Sequence, residues 1–216
     1  LTGASGFRKP KLIAEAFDSY LPEFAKLVPI LAKDYDALPA GDPLKAKLAG
    51  PVELLRHWDD RWGIASMPTS LAVFWGDTLW DESVAKAKAA GVSPYDYIAR
   101  DGGAQERLHA LDEAVDRLVQ DFGSWGVAWG EINRFQRLDS IKPHFDDGKP
   151  SIPVPFVSSR WGSLASFGAH RWPGTKKYYG SSGNSFLAVV EGGPRVSARA
   201  VTAGGESGHS GSPHFA

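Results

Sequence analysis

Residues 185–201 read SFLAVVEGGPRVSARAV and contain the clearest strand signal in the chain. Two runs rich in apolar residues, 185–190 and 196–201, lie on either side of Gly192-Gly193-Pro194. Short apolar runs separated by glycine and proline are typical of a β-hairpin. We therefore expect β-structure near the end of the chain, although the sequence before it is mostly helical by pattern.

The first strand of this hairpin is apolar on both faces. Because successive side chains of a strand point to opposite faces, Phe186, Ala188 and Val190 share one face. Leu187 and Val189 share the other. A strand that is apolar on both faces is typical of burial between two layers. The pattern predicts a hairpin that lies between a helical layer and a second sheet.

The sequence before Gly123 has helical periodicity. Apolar residues recur at spacings of three and four, the pattern of helices with one buried face. The stretch from Lys11 to Tyr35 predicts two helices, of which the second begins near Leu21. We expect that helix to bend or end around Pro29, because a proline inside a helix removes a backbone hydrogen bond.

Glycine and proline predict the borders of two shorter helices. Asp42-Pro43 is typical of an N-cap followed by the first helical residue, and indicates a short helix that continues to Ala49. Gly50-Pro51 is expected to stop it. A further helix is predicted over residues 52–58.

Two longer helices have clear start or stop signals. Ser66 and Pro68 predict the start of a helix that ends at Gly91. A last helix is predicted to end at Gly123, since glycine adopts the left-handed conformation that often terminates a helix.

Composition after this point changes. Residues 124–184 are rich in glycine, proline, serine and tryptophan, which favours an ordered, loop-rich region. We therefore predict an α+β chain with a helical segment, 1–123, and a loop-rich and hairpin segment, 124–216.

The charge balance excludes some partners. Lys and Arg number 24 and Asp and Glu 25, so the chain has no strong field to attract nucleic acid or an anionic membrane surface. No apolar run approaches the ~20 residues of a membrane-spanning helix. There is no cysteine, which removes thiolate catalysis and thiolate metal sites. We expect neither nucleic acid nor membrane as a partner.

The chemical motifs in the sequence are weak. The stretch His144-Phe145-Asp146-Asp147 offers an imidazole and two carboxylates to a metal. We interpret it as a structural loop, because a metal site usually also needs a fixed third ligand and an oriented second shell, which adjacent residues alone do not indicate. Ser207 is the serine nearest to a Gly-x-Ser-x-Gly pattern, and a turn is the better interpretation. No glycine-rich nucleotide motif is present. We therefore expect no cofactor and no metal.

Five blocks of the second half stand in a distinctive order: WGEINR (129–134), FDDGKPS (145–151), RWGSLASF (160–167), YGSSGNSF (179–186), and GGESG (204–208) followed by SPHF (212–215). In this order they resemble the C-terminal part of the large subunit of penicillin acylases. The similarity is greatest to the acyl-homoserine-lactone and aculeacin acylase branch. Helix-like residues 54–59, LLRHWD, match the family as well.

The resemblance implies an N-terminal-nucleophile hydrolase with an αββα sandwich, of which this chain is a helix-rich part. In that family a precursor cleaves itself, and the freed serine of the large subunit attacks the amide carbonyl with its own α-amine as base. The serine, an oxyanion-hole asparagine and a substrate-positioning arginine belong upstream of Leu1, so no catalytic residue is assigned to this chain. Its expected partners are the small subunit, the N-terminal part of the large subunit and a small acyl amide.

The resemblance also singles out candidates for structural or pocket-edge positions: Trp129, Asn133, Trp161, Asn184, Glu206 and His214. Because family precursors carry export signals, it implies a periplasmic or secreted protein. Leu1 is not an initiator methionine, and we expect the chain to be a piece of a longer one. The alternative function is a non-catalytic binding module that uses its tryptophan-rich loops.

Overall fold

The computed structural model describes residues 8–138, 142–202, 207–209 and 211–213. Helices and sheets are both present, so the chain is α+β. Its internal contacts separate it into two compact units. One is Tyr20–Ile132, and the other combines residues 8–19 with the described residues after Ile132.

The unit Tyr20–Ile132 is helical. Its helices are α2 (Pro22–Asp36), α3 (Pro43–Lys47), α4 (Ala49–Arg56), α5 (Met67–Ala90), α6 (Pro94–Asp96), which continues into a π-helical turn (Tyr97–Asp101), α7 (Ala104–Phe122) and α8 (Trp129–Ile132). The predicted ends of the two long helices are confirmed. The Ser66 hydroxyl caps α5 by accepting a hydrogen bond from the Thr69 amide (3.2 Å). Gly91 and Gly123 end α5 and α7 with φ of 70° and 79°.

One predicted helix border is wrong, and one of the two alternatives given for Pro29 is excluded. Gly50-Pro51 does not stop a helix, because α4 begins at Ala49 and has both residues in its first turn. A proline is tolerated there, since the first amides of a helix have no carbonyl partner within it. Pro29 does not end α2, which continues to Asp36. Burial of Leu31 beyond Pro29 supports the helix through this position.

Helix α5 passes through the centre of this unit. Every residue from Thr69 to Gly76 is buried, so this part of the helix contacts protein on all sides. Trp75 is fully buried, and its indole nitrogen donates to the Arg107 carbonyl of α7 (3.0 Å). The bond satisfies the one polar atom of a large core side chain.

Arg107 connects three parts of the helical unit. Its Nε lies 2.5 Å from Oδ2 of Asp34 on α2. Its Nη1 donates to the carbonyls of Ile98 (2.9 Å) and Gly102 (2.6 Å), at the π-helical turn. The Arg107 side chain is only 8% exposed and that of Asp34 13%, so this ion pair is largely shielded from water. The pairing therefore fixes α2, α7 and the turn relative to one another.

The second unit contains helix α1 (Lys9–Ala16), a 3₁₀ turn (Ser159–Trp161) and six strands: β1 (Asn133–Phe135), β2 (Ile152–Pro153), β3 (Phe167–Arg171), β4 (Tyr178–Gly183), β5 (Phe186–Glu191) and β6 (Ser197–Thr202). Four of these strands form one sheet in the order β2-β1-β4-β3. In it β1 and β4 are parallel, and the other neighbours are antiparallel. The loop-rich region predicted from sequence thus contains a mixed sheet. Its strands are short and lack an alternating apolar pattern, which is why they gave no strand signal.

Strands β5 and β6 pair antiparallel in register from Phe186↔Thr202 to Glu191↔Ser197. Within this chain only one face of β5 is covered, whereas the sequence predicts a strand buried on both faces. Phe186 and Val190 are 59% and 60% exposed, whereas Leu187 and Val189 on the other face are half-buried. The difference arises because helix α1 packs against one face of β5. Within the residues that the structure describes, no helix is both long and apolar enough to cross a membrane.

We predict that replacing Arg107 with methionine strongly destabilises the protein. The change leaves the Asp34 carboxylate and two carbonyls without their donor. Removing one partner of a buried ion pair costs about 3–5 kcal/mol, and we expect a loss of this size in the free energy of unfolding. The measurement is urea unfolding followed by circular dichroism.

The matched control is Arg100→Met, which removes an exposed pair with Asp96 (3.7 Å) one turn away. Exposed pairs contribute less than about 1 kcal/mol, so this variant should unfold nearly like the unchanged protein. Equal losses for the two variants would contradict a special role for Arg107.

Candidate functional site

Four of the six residues singled out by the resemblance lie in the described part of the chain. Glu206 and His214 lie outside the described residues. Trp129 is 2% exposed at the start of α8, in the helical unit. Its backbone amide donates to the Ser66 carbonyl (3.1 Å), the residue that caps α5. Trp129 therefore joins α8 to the beginning of the central helix.

Asn133 is the first residue of β1 and is completely buried. Its side-chain nitrogen donates to the carbonyls of Val154 (2.8 Å) and Phe156 (2.9 Å), and its own carbonyl accepts from the Val154 amide (2.9 Å). Since both amide protons are used, the orientation of the side chain is fixed. Its Oδ1 is buried and has no hydrogen-bond partner among the described atoms. We call these three hydrogen bonds the Asn133 clamp.

Trp161 and Asn184 are connected through Ser166. Trp161 is fully buried at the end of the 3₁₀ turn. The Ser159 amide, which starts that turn, donates to the Ser166 hydroxyl (2.8 Å). The Ser166 amide donates to Oδ1 of Asn184 (2.5 Å), and the Asn184 amide donates back to the Ser166 carbonyl (3.3 Å). Hydrogen bonds through Ser166 therefore connect Asn184 to the 3₁₀ turn that contains Trp161, and they fix the segment before β3.

The stretch His144–Asp147 forms a structural loop. The Asp147 carboxylate accepts hydrogen bonds from the Lys176 amide (2.7 Å) and from the Tyr179 hydroxyl (3.0 Å). The Phe145 ring stacks on the Tyr179 ring at 4.8 Å. Burial, followed by the hydrogen bond to Asp147, raises the pKa of Tyr179 to about 12. A carboxylate with these partners orders a loop, which is what the sequence indicated.

Neither a metal site nor a nucleophile site is evident in the described residues. They contain no group of three or more histidine and acidic side chains placed to bind a metal. The Ser207 hydroxyl accepts a hydrogen bond from the His209 amide (3.2 Å), as in a short turn. This contact uses a backbone amide and does not activate the hydroxyl, since a general base would have to accept its proton.

An apolar groove of about 550 Å³ lies between helix α1 and the β5–β6 hairpin. We call it the α1 groove. Its lining comprises Leu12, Ile13, Ala16, Phe17, Leu164, Leu187, Ala188, Val189, Val190, Arg199, Ala200 and Val201. The volume lies within the ~300–1,000 Å³ of small-molecule sites, which are likewise lined mainly by apolar groups. The groove is thus the described feature best suited to bind an apolar ligand.

Sequence reasoning missed this groove and the lone arginine in its lining. Part of the signal was present: Leu12, Ile13 and Ala16 have helical spacing, and Leu187 and Val189 share a strand face. The pairing of α1 with the hairpin was not accessible, because the two segments lie near opposite ends of the sequence.

We predict that Asn133→Ala lowers the free energy of unfolding because it removes the donor of the Asn133 clamp. Each buried acceptor left unsatisfied costs roughly 1–3 kcal/mol, and two carbonyls lose their partner.

Asn133→Asp should lower the free energy of unfolding at least as much at pH 7, since a carboxylate would face the two carbonyls. Part of that loss should be recovered in acid, where the carboxyl is protonated and can donate once. Urea unfolding at pH 4 and pH 7 measures both effects. Asn184→Ala is the comparison, and it should cost less because it removes a single exposed hydrogen bond. Full stability of Asn133→Asp at pH 7 would contradict the clamp.

We predict that Tyr179 makes stability depend on pH in the alkaline range. Its pKa is raised to about 12 in the folded protein, above the value of ~10 for an unfolded tyrosine. The contribution of Tyr179 to the free energy of unfolding is therefore fully present below about pH 10. It is lost as the pH rises toward 12. Between pH 8 and pH 12, the free energy of unfolding of Tyr179→Phe should depend less on pH than that of the unchanged protein. Tyr97→Phe is the control, and identical slopes for the Tyr179 variant and the unchanged protein would refute the prediction.

Comparison with known proteins identifies the family. The sequence model of the penicillin amidase family matches residues 2–216, nearly the entire chain. No curated protein sequence matches the chain significantly. The family match includes the helical unit as well as the unit that contains the Asn133 clamp and the α1 groove. This chain therefore belongs to the penicillin amidase family, which indicates a hydrolase that acts on amides.

Proposed function

We propose that this chain is part of an acylase that releases an acyl group from an amine. The observation that carries the proposal is the family match over residues 2–216. Substrates of the proposed class are N-acyl-homoserine lactones and penicillin-type β-lactams, in line with the sequence resemblance. The acyl-homoserine-lactone and aculeacin acylase branch is the proposed relationship within the family.

The proposed chemistry uses a serine at a chain N-terminus. Its hydroxyl attacks the amide carbonyl while the α-amine accepts the hydroxyl proton. The C–N bond then breaks, and the protonated α-amine returns that proton to the leaving amine. Water then hydrolyses the acyl-enzyme and regenerates the serine. An α-amine suits the role of base because its ordinary pKa of ~7.7–8.0 lies near neutrality. In the proposed assembly the serine and its oxyanion donors are supplied by polypeptide upstream of Leu1.

The proposed role of this chain is to complete the hydrolase fold, an αββα sandwich. The exposed face of β5 supports this role, because Phe186 and Val190 are more than half exposed. Apolar side chains aligned on one strand face are typical of a surface that packs against another layer. The partners in this proposal are the small subunit and the N-terminal part of the large subunit. A periplasmic or secreted location belongs to the same proposal.

The experiment compares this chain alone with the same chain encoded together with the gene sequence upstream of Leu1. Both are assayed with a chromogenic acyl amide. We expect turnover only with the upstream sequence. Loss of even one oxyanion donor costs about 10²–10³ in kcat, and in this proposal the chain alone also lacks the nucleophile. Replacing the serine at the new N-terminus with alanine should abolish turnover.

Ser207→Ala is the matched control in the longer protein. It removes a hydroxyl that lies in a short turn, and turnover should stay within about twofold. Hydrolysis by the chain alone that disappears in Ser207→Ala would place the nucleophile in this segment and overturn the proposal. Failure of the longer protein to cleave any acyl amide, despite processing, would overturn the assignment as an acylase.

A further inference from the structure

The α1 groove has a polar end and an apolar end. On the helix side, Lys9, Leu12, Ile13 and Ala16 recur at the spacing of one helical face, and all four are half-buried. Lys9 lies at one end of this row, followed by aliphatic side chains. Phe17 lines the groove just beyond the other end of the helix.

The hairpin side of the groove, like the helix side, is polar at one end and apolar at the other. Directly paired residues share a face, so Leu187 and Val201, Val189 and Arg199, and Glu191 and Ser197 line one face in that order. This face is the one toward α1. Leu187 and Val189 are half-buried there, and Lys9 contacts residues of the third pair. Apolar side chains thus lie at one end of the groove and polar side chains at the end near the hairpin turn.

The acidic group at the polar end already has a cationic partner. Lys9 Nζ lies 3.4 Å from Oε2 of Glu191 and also donates to the hydroxyl of Ser197. These contacts attach the start of α1 to the hairpin. Lys9 and Glu191 together contribute no net charge, and Arg199 is the charged residue of the described lining beside this pair.

Among the described residues that line the groove, Arg199 alone has a charged side chain. It is paired across the hairpin with Val189, between the aliphatic residues and the Lys9–Glu191 pair. Among the described residues it has neither an acidic partner nor a hydrogen-bond acceptor. A guanidinium is permanently charged and presents donors arranged to bind a carboxylate with two parallel hydrogen bonds. The net positive charge at one end complements an anionic head group.

We propose that the α1 groove binds a fatty carboxylate, with its carboxylate on Arg199 and its alkyl chain between α1 and the hairpin toward Phe17. The choice of ligand rests on the proposed function, because hydrolysis of a fatty acyl amide releases such an acid. The acid is ionised at neutral pH, since carboxyl groups have an ordinary pKa near ~4. An unbranched alkyl chain fits a lining made almost entirely of aliphatic side chains.

The test is isothermal titration calorimetry of the 216-residue chain with decanoate, octanoate, hexanoate and 1-decanol, all below the concentrations at which they aggregate. Saturable decanoate binding is expected. Each pair of methylene groups removed should weaken binding about tenfold or more, given about fourfold for each buried methylene. 1-Decanol should bind more weakly than decanoate, because it lacks the charge for Arg199.

Four variants test the two ends of the groove. Arg199→Gln should weaken decanoate binding about tenfold or more and leave 1-decanol binding unchanged, since only the charged head group loses its partner. Arg195→Gln, in the turn and outside the lining, is its control. Ala16→Phe fills the groove and should weaken both ligands, whereas Ala14→Phe, on the exposed side of the same helix, should not.

Three results would overturn the proposal. They are an absence of saturable decanoate binding by the folded chain, affinity that does not depend on chain length, and equal effects of the groove and control variants. The chain-length series and the comparison with 1-decanol need no variant, so they decide the question even if Arg199→Gln fails to fold. An acyl-amide assay is read separately. Decanoate binding without hydrolysis would support the fatty-carboxylate site and contradict the proposed acylase function. Hydrolysis without decanoate binding would support the acylase function and contradict the fatty-carboxylate site.

Discussion

The buried amide of Asn133 is the interaction on which the arrangement of the sheet-containing unit depends. By holding the carbonyls of Val154 and Phe156, it fixes the chain segment that precedes the 3₁₀ turn. The Phe156 ring in turn lies 6.2 Å from the Phe17 ring at the end of α1. Shortly after the 3₁₀ turn, the Ala165 amide donates to the carbonyl of Ala16 (3.1 Å). One side chain thus determines the position of the segment against which α1, and with it the α1 groove, is built.

The parts of the fold that could be predicted from the sequence are those set by local interactions. Ser66, Gly91 and Gly123 determine helix ends through their own side chains or backbone conformation, and sequence patterns report such effects. The Gly50-Pro51 border was misjudged because the same two residues fit the first turn of a helix as well as its end. The mixed sheet depends on partners far apart in sequence, such as Asn133 and Tyr178. Three-residue strands have no periodicity from which such pairing can be inferred.

In the candidate site too, the sequence indicated features set by local residues but not those set by contacts between distant segments. The resemblance drew attention to Asn133, Trp161 and Asn184, but it did not show that these residues act as clamps and core groups. Their roles depend on hydrogen bonds to segments that only the fold brings close. Arg199 drew no attention in the sequence, because an arginine in a strand that is mostly exposed is unremarkable until its neighbours are known. In our proposal, this chain completes the fold, and the chemistry of the family comes from polypeptide before Leu1.

The contact between Lys9 and Ser197 has a consequence for synthesis, because the two residues are 188 positions apart. Ribosomes add about 5–20 residues per second, so roughly 10–40 s separate the appearance of α1 from that of the strand it contacts. Helices α2 to α7 can pack during that interval, since their contacts are made within the nascent segment. Until the hairpin is synthesised, the apolar row of α1 cannot make the contacts that it has with β5 in the folded chain. The groove is therefore among the last features of this chain to form on the ribosome.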